Sequence, residues 1–251
     1  MITVLLAAWN GEAYIEEQLD SILGQTECGK LRILVSDDGS EDGTEAILAR
    51  YLARYPEQME LVSRPHARKR QDAESGIPAA AGNFFWLFEQ ALEKERDAEG
   101  DYYMLSDQDD VWKPNKAERL MTEMKRLEEK LGADHPILVH SDMAVTDADR
   151  NVIHPSFFRY QNCDPMRVTF SELLVENSVT GGAVLMNRSL LELAGRRPAA
   201  CYMHDWWLYL IATCFGKAVY DNRAYYKYRQ HKDNVLGAAT SKVGVIKRRL
   251  S

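Results

Sequence analysis

The chemistry in this chain starts with Asp107-Gln108-Asp109-Asp110, which places three carboxylates within four residues. Carboxylates that close repel one another unless something cationic lies between them. A divalent ion with oxygen ligands, bridging to a diphosphate, meets that need, and it would neutralise charge developing on a leaving diphosphate. Taken alone, the stretch reads equally well as a solvated acidic turn before a helix. Two more polar stretches accompany it: Ala7-Ala8-Trp9-Asn10-Gly11-Glu12, and Ser36-Asp37-Asp38-Gly39-Ser40 continuing into Glu41-Asp42-Gly43-Thr44.

These stretches need elements to position them. Ile2 to Ala7, Leu31 to Val35 and Tyr102 to Leu105 are short apolar runs that read as buried strands, and each runs straight into one of the three stretches. Met59 to Ser63 reads as another strand. Helical spacing of apolar residues marks Ala13 to Leu23, about Gly43 to Arg54, Ala79 to Ala98 and Pro114 to Leu131. Strands separated by helices of that length imply βαβ crossovers and a mainly parallel sheet. The carboxyl edge of such a sheet is where ligands bind. The segment from Arg64 to Gly76 is polar and basic and reads as a surface loop. In the less regular second half, Ile137 to His140, Ser178 to Met186, Ala218 to Asp221 and Ala224 to Tyr228 look like strands. Short helices fall near Phe170 to Glu176 and His204 to Thr213.

Length and composition suit a soluble α/β enzyme: 251 residues, 45% hydrophobic and 27% charged. A net charge of −7 argues against a nucleic-acid partner. Four scattered cysteines suggest neither a disulfide framework nor a zinc knuckle. Ile2 to Ala8 is too short to span a bilayer and lacks the flanks of a secretory peptide, so the expected location is the cytoplasm.

Together, the three stretches resemble the signatures of family 2 glycosyltransferases with the GT-A fold. Ala7 to Glu12 is similar to the strand-ending YNxE-type signature, with Trp9 in place of tyrosine. Asp37 to Thr44 is similar to DDGS(x)DGT, and Asp107 to Asp109 to the DxD. Within the family, Ser106 to Trp112 and His204-Asp205-Trp206-Trp207 resemble rhamnosyltransferase-type members. The resemblance implies a mixed, mainly parallel sheet flanked by helices. It divides the chain into one catalytic domain over 1–237 (a nucleotide-binding half, about 1–112, and an acceptor-shaping half, 113–237) and a basic tail, 238–251.

The resemblance also implies roles. Ala7, Trp9, Glu12, Asp38 and Asp107 would bind the nucleotide, Trp9 stacking on the base, Asp38 accepting from its N–H edge and Asp107 holding the ribose. An indole face suits a flat base, and an ionised carboxylate is a strong acceptor. The alternatives are a core-packed Trp9 and an Asp37–Ser40 turn that caps a helix. Asp109 and His231 would lie at Mn²⁺ or Mg²⁺, with Arg229 as an alternative diphosphate partner. Asp205 would be the general base opposite the leaving diphosphate, or simply a helix N-cap. Gly181 and Gly182 would line the acceptor side near the donor sugar, or form a bulge. His204, Trp206 and Trp207 would face the sugars, with one tryptophan expected in the core. One departure stands out: Ala79 to Gly82 lacks the arginine that many members place before the position of Asn83. His66, Arg68, Lys69 and Arg70 either replace it or form a solvated charge run.

The resulting expectation is an inverting transferase. It would move a sugar, rhamnose by resemblance, from a nucleotide-diphosphate donor to a glycan or lipid-linked acceptor in cell-surface polysaccharide synthesis. A sugar nucleotidyltransferase is disfavoured because it needs a glycine-rich, basic first loop for a triphosphate. A non-catalytic nucleotide-sugar binding module would bind the donor without turnover. In the tail, Val243, Ile246 and Leu250 on one helical face with basic residues around them suit peripheral contact with the inner face of the plasma membrane. The pattern breaks off at Ser251, which suggests that the natural chain runs further.

Overall fold

The computed structural model describes residues 1–26, 28–94, 102–166, 169–232 and 234. The strands are β1 (Ile2–Ala8), β2 (Leu31–Asp37), β3 (Met59–Leu61), β4 (Tyr102–Ser106), β5 (Val111–Trp112), β6 (Ile137–Thr146), β7 (Val152–His154), β8 (Val184–Asn187) and β9 (Lys217–Arg229). The helices are α1 (Ile15–Leu23), α2 (Thr44–Arg54), α3 (His66–Glu74), α4 (Ala79–Lys94), α5 (Lys116–Leu131), α6 (Phe157–Gln161), α7 (Phe170–Leu173), α8 (Arg188–Ala194) and α9 (His204–Phe215). The tail over 238–251 lies outside the described residues.

One sheet runs through the molecule in the order β3-β2-β1-β4-β8-β6-β9-β5, with β7 added on β6. Pairing is parallel from β3 to β4, antiparallel from β4 through β8 to β6, and parallel again between β6 and β9. Two-residue alternation feeds two cores. Val4, Leu6, Tyr102, Met104, Ile137 and Val139 face the core under α1, α2 and α5. Leu5, Tyr103, Leu105 and Leu138 face the core under α4, α8 and α9. With both faces covered, the front strands read as continuous apolar runs instead of alternating ones.

The chain leaves β1 toward β2 and β3, then returns to the other side of β1 as β4. The crevice between the loops after β1 and β4 is thus a switch point of the sheet, where α/β folds bind ligands. Three expectations are corrected. The segment after Arg64 is helical, because Arg64 is buried by ion pairs and anchors α3. The strand expected from Ser178 starts only at Val184, since Gly181–Ala183 turn as a 3-10 helix. The two strands expected after Ala218 are one bent strand, β9, whose register against β6 shifts beyond Ser141.

Candidate active site

Parallel register brings the three acidic stretches to one edge: Ala8 lies opposite Asp37, and Leu6 opposite Ser106. The loops are then tied together by side chains. Gln108 accepts from the Trp9 amide and donates to its carbonyl, both at 2.6 Å, so the DxD loop sets the height of Trp9. A Cβ on Gly11 would meet that Gln108 side chain at 2.6 Å, so a larger residue there would displace the group that holds Trp9. The Glu12 carboxylate takes the Gly43 N–H at 2.5 Å, and the Asp42 carboxylate takes the Glu12 N–H at 3.0 Å. Glu12 therefore staples two loops and does not line the cleft.

A cleft of about 1040 Å³ opens over this edge. Its lining includes Ala7, Trp9, Asp38, Asp107, Asp109 and His231 on the side of the acidic loops, and Gly181, Gly182, His204, Asp205 and Trp206 across from them. Trp9 is 56% exposed, as a stacking platform requires and a core residue does not. Trp207 is absent from the lining. Its indole N–H donates to the Ala194 carbonyl at 2.9 Å and its ring packs on the core under α9, so it is the core member of the pair.

Asp38 is gripped from behind. Both of its carboxylate oxygens accept from the Arg64 guanidinium at 3.1 Å, and the Lys69 ammonium lies 3.0 Å away. Arg64 also pairs with buried Asp72, which pairs in turn with Arg197. Arg68 is paired with Glu89. Of the basic residues proposed to replace the absent arginine, Lys69 thus serves Asp38 and Arg68 serves a helix.

The bent β9 carries His231 to the DxD: its Nε2 lies 2.8 Å from Asp109 Oδ2, although the two are 122 residues apart. Among the described residues, no cluster of three or more His, Cys, Asp and Glu side chains is arranged to hold a metal. Asp109 and His231 form a two-ligand half-site that fits Mn²⁺ or Mg²⁺ when phosphate oxygens and water complete the shell. Burial, then the charges of Asp109 and Asp205, push the Asp107 carboxyl up to about 7. Burial and the Asp109 charge likewise push Asp110 well above the carboxylate range, and Asp110 Oδ2 is buried without a hydrogen bond. Such an acidic pocket favours a bound cation. The Arg229 guanidinium donates to the carbonyls of Asp109 and Ala148 and to Glu17. It is a scaffold residue and not a diphosphate partner.

Asp205 is 8% exposed on the opposite wall. Its Oδ2 accepts from the Gly181 N–H at 3.1 Å, and its Oδ1 from Asn177 at 3.3 Å and the Trp206 N–H at 2.6 Å. Met203 holds the N-cap position of α9, so Asp205 is not its cap. His204 is buried against Phe84, with ring centroids 3.8 Å apart, and desolvation lowers its pKa to about 3. Sequence reasoning missed Gln108, Arg64 and Lys232, the last being the lysine that lines the cleft beside His231. Nothing in a polar loop or an isolated lysine flags such roles before the fold is known.

Residues 3–90 match the family described as Glycosyl transferase family 2. The dTDP-rhamnosyl transferase RfbG of Shigella flexneri is 27% identical over 241 residues, covering 94% of this chain and 75% of the relative. Among solved structures, S. aureus TarS in complex with UDP-GlcNAc superimposes with a TM-score of 0.57 at 14% identity, over 96% of this chain and 61% of TarS. The mannosyltransferase PcManGT from Pyrobaculum calidifontis, in complex with GDP-Man and Mn²⁺, gives 0.56 at 19% identity, over 93% of this chain and 58% of its own. The chain thus spans about three fifths of these solved chains, and it shares their GT-A fold.

Proposed function

We propose that this chain, similar over residues 3–90 to family 2 glycosyltransferases and 27% identical to a dTDP-rhamnosyl transferase, transfers a sugar, with inversion, from a nucleoside-diphosphate donor to a hydroxyl of a glycan or lipid-linked acceptor. Rhamnose carried on a thymidine or uridine diphosphate is the proposed donor, and cell-surface polysaccharide synthesis the proposed setting. The observation that carries the reading is the cleft's opposition of two machineries. Trp9, Asp38 and the Asp109–His231 pair stand on one wall, and the buried, oriented carboxylate of Asp205 on the other.

Trp9 stacks on the base, and Asp38, held in place by Arg64 and Lys69, accepts from the base N–H. Asp109 and His231 would hold Mn²⁺ or Mg²⁺, which supplies neutralisation of charge on the departing diphosphate. Lys232, which lines the cleft beside them, would supply a cation to phosphate oxygens, filling the gap left at Ala79 to Gly82. Asp205 takes the proton from the acceptor hydroxyl, which attacks the anomeric carbon from the face opposite the leaving group. Trp206 offers its ring face to the acceptor sugar, with its N–H tied to the Leu173 carbonyl at 2.6 Å. We place the protein in the cytoplasm at the inner membrane face. No helix among the described residues is long and apolar enough to cross a membrane.

A donor-panel thermal-shift assay with and without Mn²⁺ tests the reading. A matching nucleotide sugar at 100 times its Kd should stabilise the protein by about 2.7 kcal/mol, and Asp109→Ala should abolish the metal-dependent part. If no nucleoside-diphosphate sugar raises Tm in the presence of Mn²⁺, the proposal fails.

A further inference from the structure

Lys116 opens α5 and is fully buried, outside the cleft lining. Removing an ammonium from water costs several kcal/mol unless its surroundings compensate. Here they do. Its Nζ lies 3.5 Å from the ring centroid of Trp112 and 4.4 Å from that of Tyr226, and cation–π attraction gains strength away from water. Asp110 and Asp107 supply the opposing charge. Its hydrogen bond goes not to a carboxylate but to the Gly182 carbonyl, at 2.5 Å.

That carbonyl belongs to the glycine turn whose other end, the Gly181 N–H, grips Asp205. The turn has no slack. A Cβ on Gly182 would lie 3.1 Å from Asp110 Oδ2 and 3.2 Å from the Tyr226 hydroxyl, and one on Gly181 would lie 2.8 Å from His204 Nε2. A movement of the Gly182 carbonyl therefore carries the Gly181 N–H with it, and Asp205 loses a fixed partner.

We propose that Lys116 is a positioning residue, tying the acidic loop after β4 to Asp205 across the Gly181–Gly182 turn. Its catalytic consequence rests on the reading of Asp205 as the base, while the mechanical link does not. Lys116 thereby registers the two walls of the cleft against each other, so that the general base faces the donor at a set height.

Lys116→Met keeps the chain length and apolar stem and removes the charge. In hydrogen exchange of the full chain, the Gly181 amide should exchange at least about tenfold faster, with α2 and β2 unchanged. In kinetics, kcat for transfer should fall at least about tenfold while the donor KM holds within about threefold. A merely structural role would move stability everywhere and spare that split. If Lys116→Met does not fold, Lys116→Arg keeps the cation but shifts the N–H away from Gly182, and the same amide should lose protection. Unchanged Gly181 exchange in the folded variant overturns the link. A raised donor KM with kcat retained overturns it too, by assigning Lys116 to the donor side alone. If the wild type transfers no sugar, the function proposed above falls, and the exchange measurement still decides the link.

Discussion

The two walls of the cleft are built by different means. On the wall proposed for the donor, the loops after three neighbouring parallel strands end at one sheet edge, so strand register delivers Trp9, Asp38 and Asp107. On the wall proposed for the acceptor, a 3-10 turn and the start of α9 are joined through the Asp205 side chain. The donor wall is thus a property of the sheet, whereas the acceptor wall depends on individual tethers. Damage should follow that division: binding is lost on one side, and turnover on the other.

The largest effect should come from Asp205→Asn, which keeps the shape and much of the hydrogen bonding but removes the base. Transfer kcat should fall by about 10²- to 10⁴-fold, with donor binding in the thermal-shift assay unchanged. Retained turnover in this variant would remove Asp205 from the mechanism and dissolve the contrast between the walls.

Arg64→Met should act in the opposite sense. Arg64 is buried between Asp38 and Asp72, and breaking such a pair typically costs about 3–5 kcal/mol. Lys69 and Arg197 remain to share the two carboxylates, so the lower end of that range is expected in urea denaturation. Donor affinity should weaken by about tenfold because Asp38 loses its fixed rotamer. With donor saturating, kcat should stay near wild type. A variant that binds donor normally but turns over slowly would place Arg64 with the acceptor wall instead.

The same division explains what could be read from sequence. The donor wall was legible because an apolar run followed by a polar turn is a local signal, and parallel pairing then aligns the turns. Trp9, Asp38, Asp107 and Asp109 all came to line the cleft. Glu12 did not, because its geometry depends on Gly43, 31 residues away. On the acceptor wall Asp205 and Trp206 were found, but the glycine turn was read as a strand and Trp207 could not be told from its neighbour. Those distinctions rest on contacts such as the one from Trp207 to Ala194, which no periodicity encodes. The basic stretch after Arg64 misled for a related reason: a polar composition hid a buried arginine whose partners, Asp38, Asp72 and the Ala79 carbonyl, lie on three segments.

The smallest effect concerns pH, where the two halves should titrate in opposite directions. In the second half, desolvation lowers the buried imidazoles of His140 and His204 to about 3, against about 6.5 in an unfolded chain. Between those values the unfolded state binds the proton and the fold does not, so acidification destabilises the protein. At the donor edge the sign reverses. Asp107, at about 7, and Asp110, pushed well above the carboxylate range, take up protons in the fold that the unfolded chain takes up only near 4, so in the metal-free protein acidification favours the fold there. The wild-type slope is a difference of these terms and should be shallow. His140→Phe fits the aromatic surroundings of Phe158 and Tyr220 and removes one destabilising proton. Its stability relative to wild type should therefore improve by about 1–2 kcal/mol on going from pH 6.5 to 5.0, since one proton is worth about 1.4 kcal/mol per pH unit. Urea midpoints at the two pH values measure this directly, and a constant offset between the variants would show that His140 takes up its proton in the fold. Adding Mn²⁺ with a nucleoside diphosphate should steepen the wild-type loss, because a bound cation holds the donor-edge carboxylates ionised and leaves the histidines unopposed.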